Sequence, residues 1–391
     1  MKFFVLLILG SSLFAADTDY SDWRGKDGDG IADDNNWNPT KLKSIKELWS
    51  KSVGSGYSAV SVSANTAYTI GNNNGFDTLY ALDTLTGKEK WTYKYRSADG
   101  GGFAGPRVMP VVYEKNVYIV SRHSVVYCVN SANGKLIWSK DLGENFGVAN
   151  LRWGFSGTIK IIDGRVFLNG GKNGVALDAK TGKKVWASAG QGAYASPVQL
   201  GKNDLAVFGA KALHSVSQKT GKVNWSYDWR TEYDVNAADP LVIGNYIFIS
   251  SGYGRGSTLL NVKSGKPQKV WENQKLRSHF STPIYSGGYI YGVDGQANSR
   301  GALVCLKAKT GELQWSEKLG FGSFFATKDK LIYLTERGKL HIVSIDPKSY
   351  KEIASAKTSL SKTCWTMPVL SNGLLFCRND KGKVICVDLR K

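Results

Sequence analysis

LYALDTLTGKEKW, residues Leu79 to Trp91, contains a strand, a tight turn and the beginning of a second strand. The run before the turn is apolar or alternating. Asp83 with Thr86-Gly87 supplies a turn that can visit positive φ. Four residues past the glycine stands Trp91. The same frame returns in YCVNSANGKLIW (Tyr127 to Trp138), VALDAKTGKKVW (Val175 to Trp186) and LHSVSQKTGKVNW (Leu213 to Trp225). It returns again in TLLNVKSGKPQKVW (Thr258 to Trp271), where Pro267 enlarges the turn, and in LVCLKAKTGELQW (Leu303 to Trp315). Successive tryptophans lie 39 to 48 residues apart, the length of one supersecondary unit per repeat.

Ahead of each frame lie two more short runs of aromatic and β-branched residues, such as Ser58 to Val62 with Ala67 to Ile70, or Pro110 to Tyr113 with Val117 to Ser121. Four antiparallel strands per repeat are the composition of a propeller blade. No segment carries helical periodicity, so the fold is expected to be all-β. Trp49, in KELWSKSVG, lies 42 residues before Trp91 and reads as an outer strand without its turn. Val384 to Leu389 reads as an inner strand without its tryptophan. Together they make one blade, closing the ring and removing free sheet edges. Lys339 to Ala354 is a degenerate repeat with Asp346-Pro347 as its turn and Ala354 in the tryptophan position. The count is eight blades, or seven if that unit is not a blade. In each, a ring at a fixed position can pack between neighbouring sheets, contributing about 2–3 kcal/mol. The expected docking set is Trp49, Gly87, Trp91, Gly134, Trp138, Gly182, Trp186, Gly221, Trp225, Trp271, Gly311 and Trp315.

The chain opens with Lys2, the apolar run Phe3 to Leu9 and the small residues Ala15-Ala16, the parts of a secretory signal and too short to span a bilayer. The expected organisation is a signal over 1–16, an Asp/Gly-rich extension over 17–44 and a single propeller over 45–391. That places the protein in the periplasm or outside the cell. No cysteine stands at the expected cleavage point to carry a lipid anchor. Five cysteines without a C-x-x-C pair exclude a disulfide scaffold and a zinc ribbon. Cys128, Cys305 and Cys386 occupy equivalent strand positions and read as packing near a tryptophan ring. Cys364 and Cys377 are placed for a disulfide on adjoining strands. The formal charge of +19 favours an anionic polysaccharide, an anionic lipid or an acidic protein as partner. Nucleic acid is not the expected partner of an exported protein, and a monomer is expected.

The frame Ala-x-Asp-x-x-Thr-Gly-x-x-x-Trp, met most fully at Ala81, Asp83, Thr86, Gly87 and Trp91, resembles the tryptophan-docking motif of the PQQ-like propeller family. That family includes quinoprotein dehydrogenases and a propeller lipoprotein of outer-membrane barrel assembly. Asp22-Trp23-Arg24-Gly25, Gly105-Pro106-Arg107, the run Tyr233 to Pro240 and Cys364-Trp365-Thr366 are similar to exported members of uncertain function. The resemblance implies the fold. It leaves function to the site.

Quinoprotein dehydrogenases hold their cofactor between a tryptophan and a disulfide of adjacent cysteines, with calcium on Glu, Asn and Asp beside a catalytic Asp. Here no two cysteines are adjacent. The loops nearest the ring axis should present Arg107, Trp153, Tyr194, Asp234, Asn236, Asp239, His279 and Trp365 at a funnel mouth. Arg107 could fork to a carboxylate, Trp153 could stack on a planar ring, and Asp234 with Asn236 could ligate a cation or act as base. Asp27, Asp29 and Asp33 resemble a calcium loop, although Ile31 takes a ligand position. The leading expectation is a non-catalytic binding scaffold for a protein or anionic glycan, without cofactor. The alternative is a PQQ- and calcium-dependent alcohol or sugar dehydrogenase with Asp234 as base.

Overall fold

The computed structural model describes residues 19–98 and 103–391; the expected signal over 1–16 lies outside them. Eight antiparallel four-stranded sheets follow one another along the chain, and the eighth is closed by the N-terminal strand Glu47–Ser52 pairing with Lys383–Asp388. Trp49 thus completes the last blade. The degenerate repeat is a full seventh blade, Gly322–Thr327 through Glu352–Lys357, with Ala354 opposite Ile342 where other blades place tryptophan.

Within each blade the first-to-second-strand turn is tied by a backbone hydrogen bond to the third-to-fourth-strand turn, or in blade 8 to the end of the third strand. Ser131 N donates to Lys115 O in blade 2 (2.9 Å), Gln218 N to Asn203 O in blade 4 (2.9 Å) and Leu389 N to Gly373 O in blade 8 (2.9 Å). Both turns of blades 1–7, and the first turn and third-strand end of blade 8, therefore open on one face of the ring. The opposite face carries the second-to-third turns and the long connections between blades.

The core lies between blades. One cluster joins Trp49, Phe376 and Cys386 of blade 8 to Val62, Ala67 and Leu82 of blade 1; another joins Phe167, Ala176 and Trp186 of blade 3 to Leu205, Val207 and Val216 of blade 4. Six tryptophans fasten the joints by donating their indole N–H to a turn carbonyl of the next blade: Trp49 to Thr84, Trp91 to Ser131, Trp138 to Ala179, Trp186 to Gln218, Trp271 to Ala308 and Trp315 to Asp346, all at 2.8–2.9 Å.

The turn glycine has a second role that its positive φ does not reveal. A Cβ on Gly182 would stand 2.6 Å from the ring of Trp138, and one on Gly134 2.5 Å from that of Trp91. The indole of one blade lies flat on the turn glycine of the next, so Gly and Trp of one repeat serve two different joints. Trp225 differs: at Gly265, in the turn enlarged by Pro267, an added Cβ would meet nothing within 4 Å.

The sequence frame does not announce the register shift beside the tryptophan position in every blade, for example between Leu136 and Trp138 and between Ala176 and Leu177. Each places one extra residue in the outer strand, as a β-bulge does. Cys128, Cys305 and Cys386 stand directly across the ladder from Trp138, Trp315 and Trp49 of their own blades. Burial raises the Cys128 and Cys305 thiols to about 11. Cys364 and Cys377 are free thiols, and Cys364 lies in the loop before strand Val369–Ser371, which corrects the expected placement of the two on adjoining strands. A helical turn also appears at Leu142–Phe146, capped by Asp141 accepting from Glu144 N and ended by Gly147 in the left-handed region; one turn is too short to show periodicity.

Candidate functional site

Residues 19–38 form no free extension. They rise through the axis and return, touching the innermost strands in ring order. Tyr20 bridges Val62 of blade 1, Ser21 O accepts from Val112 of blade 2, and Asp22 pairs with Lys160 of blade 3 at 2.6 Å. At the top of the climb Trp23 Nε1 donates to Asp239 Oδ2 (2.6 Å), and buried Arg24 donates to the carbonyls of Thr282 (3.2 Å), Pro283 (2.8 Å) and Asp29 (2.8 Å). The descent pairs Ile31–Ala32 in parallel with Gly322–Thr327, and Asp34 accepts from Gly373 N. The strap plugs the channel, and its tip is the floor of a cavity at the mouth.

That cavity, about 570 Å³, is lined by Trp23, Arg24 and the inter-blade connections. A chain of ring contacts runs around it. Tyr57 stacks on Trp365 (centroids 5.6 Å), which meets Phe103 and Phe280 (both 5.7 Å), and Phe103 meets Trp153 edge-on (5.6 Å). From Phe280 the collar continues through His279 (4.8 Å) and Tyr253 (5.2 Å) to Tyr233 (5.5 Å). Tyr233 is 56% exposed and sits at φ 67, a strained position for a bulky residue of the kind that clusters at functional sites.

Of the residues singled out in the sequence, Arg107, Trp153, Tyr194, Asp239, His279 and Trp365 line this cavity. Asp234 and Asn236 do not. Tyr233 and Asp234 both turn through positive φ, and Asn236 is fully buried, donating to the carbonyls of Gly209 and Ala210 and accepting from Ser251 Oγ. Arg107 spends its guanidinium on Gly105 O (2.9 Å) and Phe103 O (2.5 Å), lying over the Tyr57 ring. It shapes a loop. Arg152 is exposed and lies over Trp153, its guanidinium carbon 4.9 Å from the ring centroid.

A calcium-held quinone would need carboxylates free to ligate at this mouth. Asp239 is the carboxylate lining the cavity, and it is fully buried with Oδ2 taken by Trp23 and Oδ1 by Ser196 N (2.6 Å). Among the described residues no three His, Cys, Asp or Glu side chains stand together as a metal group, and Asp27, Asp29 and Asp33 are not gathered. Asp29 instead accepts from Ile31 N to close the strap's turn. The residues present do not fit that cofactor pair.

His279 makes the collar sensitive to pH. Its Nδ1 accepts from Ala297 N (3.3 Å) and Nε2 faces Tyr253 Oη (3.2 Å). Burial pushes its pKa down to about 4. The unfolded chain titrates near 6.5, so between these values the unfolded state binds more protons, and stability falls as pH falls, by up to about 3 kcal/mol at pH 4. Denaturant titrations from pH 7 to 4.5 should show a steeper loss for the wild type than for His279→Phe.

The profile of a protein family described as "Outer membrane protein assembly factor BamB" matches residues 96–317. The chain is 21% identical over 273 residues to the outer membrane protein assembly factor BamB of Moranella endobia (strain PCIT), covering 66% of this chain and 69% of that protein. It is 27% identical over 253 residues to the dehydrogenase subunit of the quinone alcohol dehydrogenase of Komagataeibacter europaeus, covering 54% of this chain but 32% of that protein. Among solved structures, BamB from Moraxella catarrhalis superposes with a TM-score of 0.64 at 16% identity, over 88% of this chain and 97% of that one. At that identity the likeness establishes the fold alone. The matched profile spans more than half of the sequence, so the chain belongs to the PQQ-like propeller family described by the name outer membrane protein assembly factor BamB.

Proposed function

We propose that this protein is an exported, non-catalytic binding propeller whose aromatic mouth receives an apolar, ring-bearing segment of a partner polypeptide during outer-membrane protein assembly. The observation that carries the reading is the collar from Trp153 to Tyr233 around a cavity floored by Trp23. Rigid rings with a polar edge bury large area at low entropic cost, the composition of protein-binding hot spots. A cavity of about 570 Å³ admits one or two large side chains. The relatives named for protein assembly support a protein partner. Support for an anionic polysaccharide is lacking, since Arg107 is committed to backbone carbonyls.

The dehydrogenase reading has distant relatives in its favour and the chemistry of the mouth against it, because Asp234 does not line the cavity and Asp239 is engaged. The binding reading is tested by placing a photo-crosslinking phenylalanine analogue at Tyr233 in the exported protein, with Tyr246 on the opposite face as control. Polypeptide adducts should form from position 233 and not from 246. Adducts from 246 alone would refute the proposal.

A further inference from the structure

The face opposite the mouth, where these turns open, carries most of the exposed lysines of the repeat. In five blades a lysine directly follows the turn glycine: Lys88, Lys135, Lys183, Lys222 and Lys266, all exposed. Two residues before the glycine a second exposed lysine recurs at Lys180, Lys219, Lys263 and Lys309. Among the described residues none of these nine stands within 4 Å of a carboxylate. The acids of this face are largely occupied. Asp83 and Asp178 accept from the turn threonines Thr86 and Thr181, Asp346 pairs with Lys351, Asp388 with Arg390, and Asp329 with Lys330. Glu312 replaces the post-glycine lysine in blade 6, and Asp33, Glu114 and Asp163 remain exposed.

A second feature coincides with this charge. Leu85, at a turn tip, is 51% exposed, and Ile137, Val185, Val270 and Leu313 are exposed near the turn ends of the outer strands. Exposed aliphatic side chains beside unpaired lysines are the mixture that settles at a lipid headgroup layer, cations on phosphate and methyl groups below it. Lysine suits this surface better than a shaped protein pocket would, because its compact ammonium needs no fixed partner geometry. Asp19, the first described residue, is bound to Ser63 and Ala64 on this same face.

We propose that the turn face is a membrane-docking surface for anionic phospholipid, leaving the mouth facing away from the bilayer. The proposal rests on the protein being exported and is independent of what the mouth binds. Its test uses the full mature chain and vesicles of phosphatidylcholine with or without about one-third phosphatidylglycerol. The wild type should cosediment with the anionic vesicles and not with neutral ones, and high salt should release it. The variant combining Lys88→Gln, Lys135→Gln, Lys183→Gln, Lys222→Gln and Lys266→Gln should partition at least about a hundredfold more weakly. A variant of equal charge from the mouth side, combining Lys172→Gln, Lys211→Gln, Lys275→Gln, Lys318→Gln and Lys381→Gln, should bind as the wild type does. Three results would overturn the proposal: no wild-type binding to anionic vesicles, equal loss in both variants, or retention by heparin or an acidic protein without vesicle binding. Loss of vesicle binding confined to the mouth-side variant would overturn it as well.

Discussion

Gly182→Ala should lower the free energy of unfolding by about 3 kcal/mol, whereas Gly265→Ala should cost about 1 kcal/mol. Both glycines sit in the left-handed region, at φ 66 and φ 76, so the two substitutions share the backbone penalty. They differ in what the new Cβ meets: the Trp138 ring at 2.6 Å in one case and open space in the other. The excess is the cost of lifting an indole off its seat, which also stretches its 2.9 Å hydrogen bond to Ala179 O. Urea denaturation of the two variants measures the difference directly. Equal losses would mean that the glycine serves only its own turn and that the joint between blades 2 and 3 is held elsewhere.

Asp239→Ala is expected to be the most damaging substitution near the mouth, at about 3–5 kcal/mol. Asp239 is buried and receives two hydrogen bonds of 2.6 Å, one from the strap and one from Ser196 N of the neighbouring connection. Burial raises its pKa, opposed by the Arg24 guanidinium. Removing the carboxylate leaves Trp23 Nε1 and Ser196 N unpaired and strips buried Arg24 of its counter-charge. The strap tip should loosen, so proteolysis within residues 25–30 should accelerate along with the fall in stability. Asp239→Asn keeps one acceptor and should lose less. A stable, protease-resistant Asp239→Ala protein would show that the strap's remaining contacts, from Tyr20–Val62 to Asp34–Gly373, hold it without Asp239.

The ring was legible because its information is local. Gly182 and Trp186 lie in one short frame, and repetition of that frame exposes the period even though each residue docks to a different neighbour. Closure through Trp49 was legible for the same reason, an outer strand lacking a partner at one end and an inner strand lacking one at the other. The strap was not. Trp23 and Asp239 are 216 residues apart, and no period connects them, although Asp22 to Gly25 and Tyr233 to Pro240 each stood out as unlike the repeat. The mouth was legible in part. Trp153, Trp365 and His279 were found from their place before innermost strands, and Asp239 was found without its role as an anchor. Tyr57, Phe103, Tyr253 and Phe280 looked like ordinary aromatics of a β protein, because only the convergence of separate connections assembles them into a collar. Asn236 misled for a local reason: its amide turns back to the carbonyls of Gly209 and Ala210.

In that arrangement the repeat that resembles quinone enzymes joins the blades, and the mouth at the axis is the proposed binding site. Isothermal titration of an extended, aromatic-rich peptide from an outer-membrane barrel protein into the wild type, Trp365→Ala and the five-lysine turn-face variant tests this claim most directly. Saturable binding by the wild type and the turn-face variant, weakened at least about tenfold by Trp365→Ala, is the predicted result. Undiminished binding by Trp365→Ala, or uptake of PQQ with calcium in place of the peptide, would contradict it.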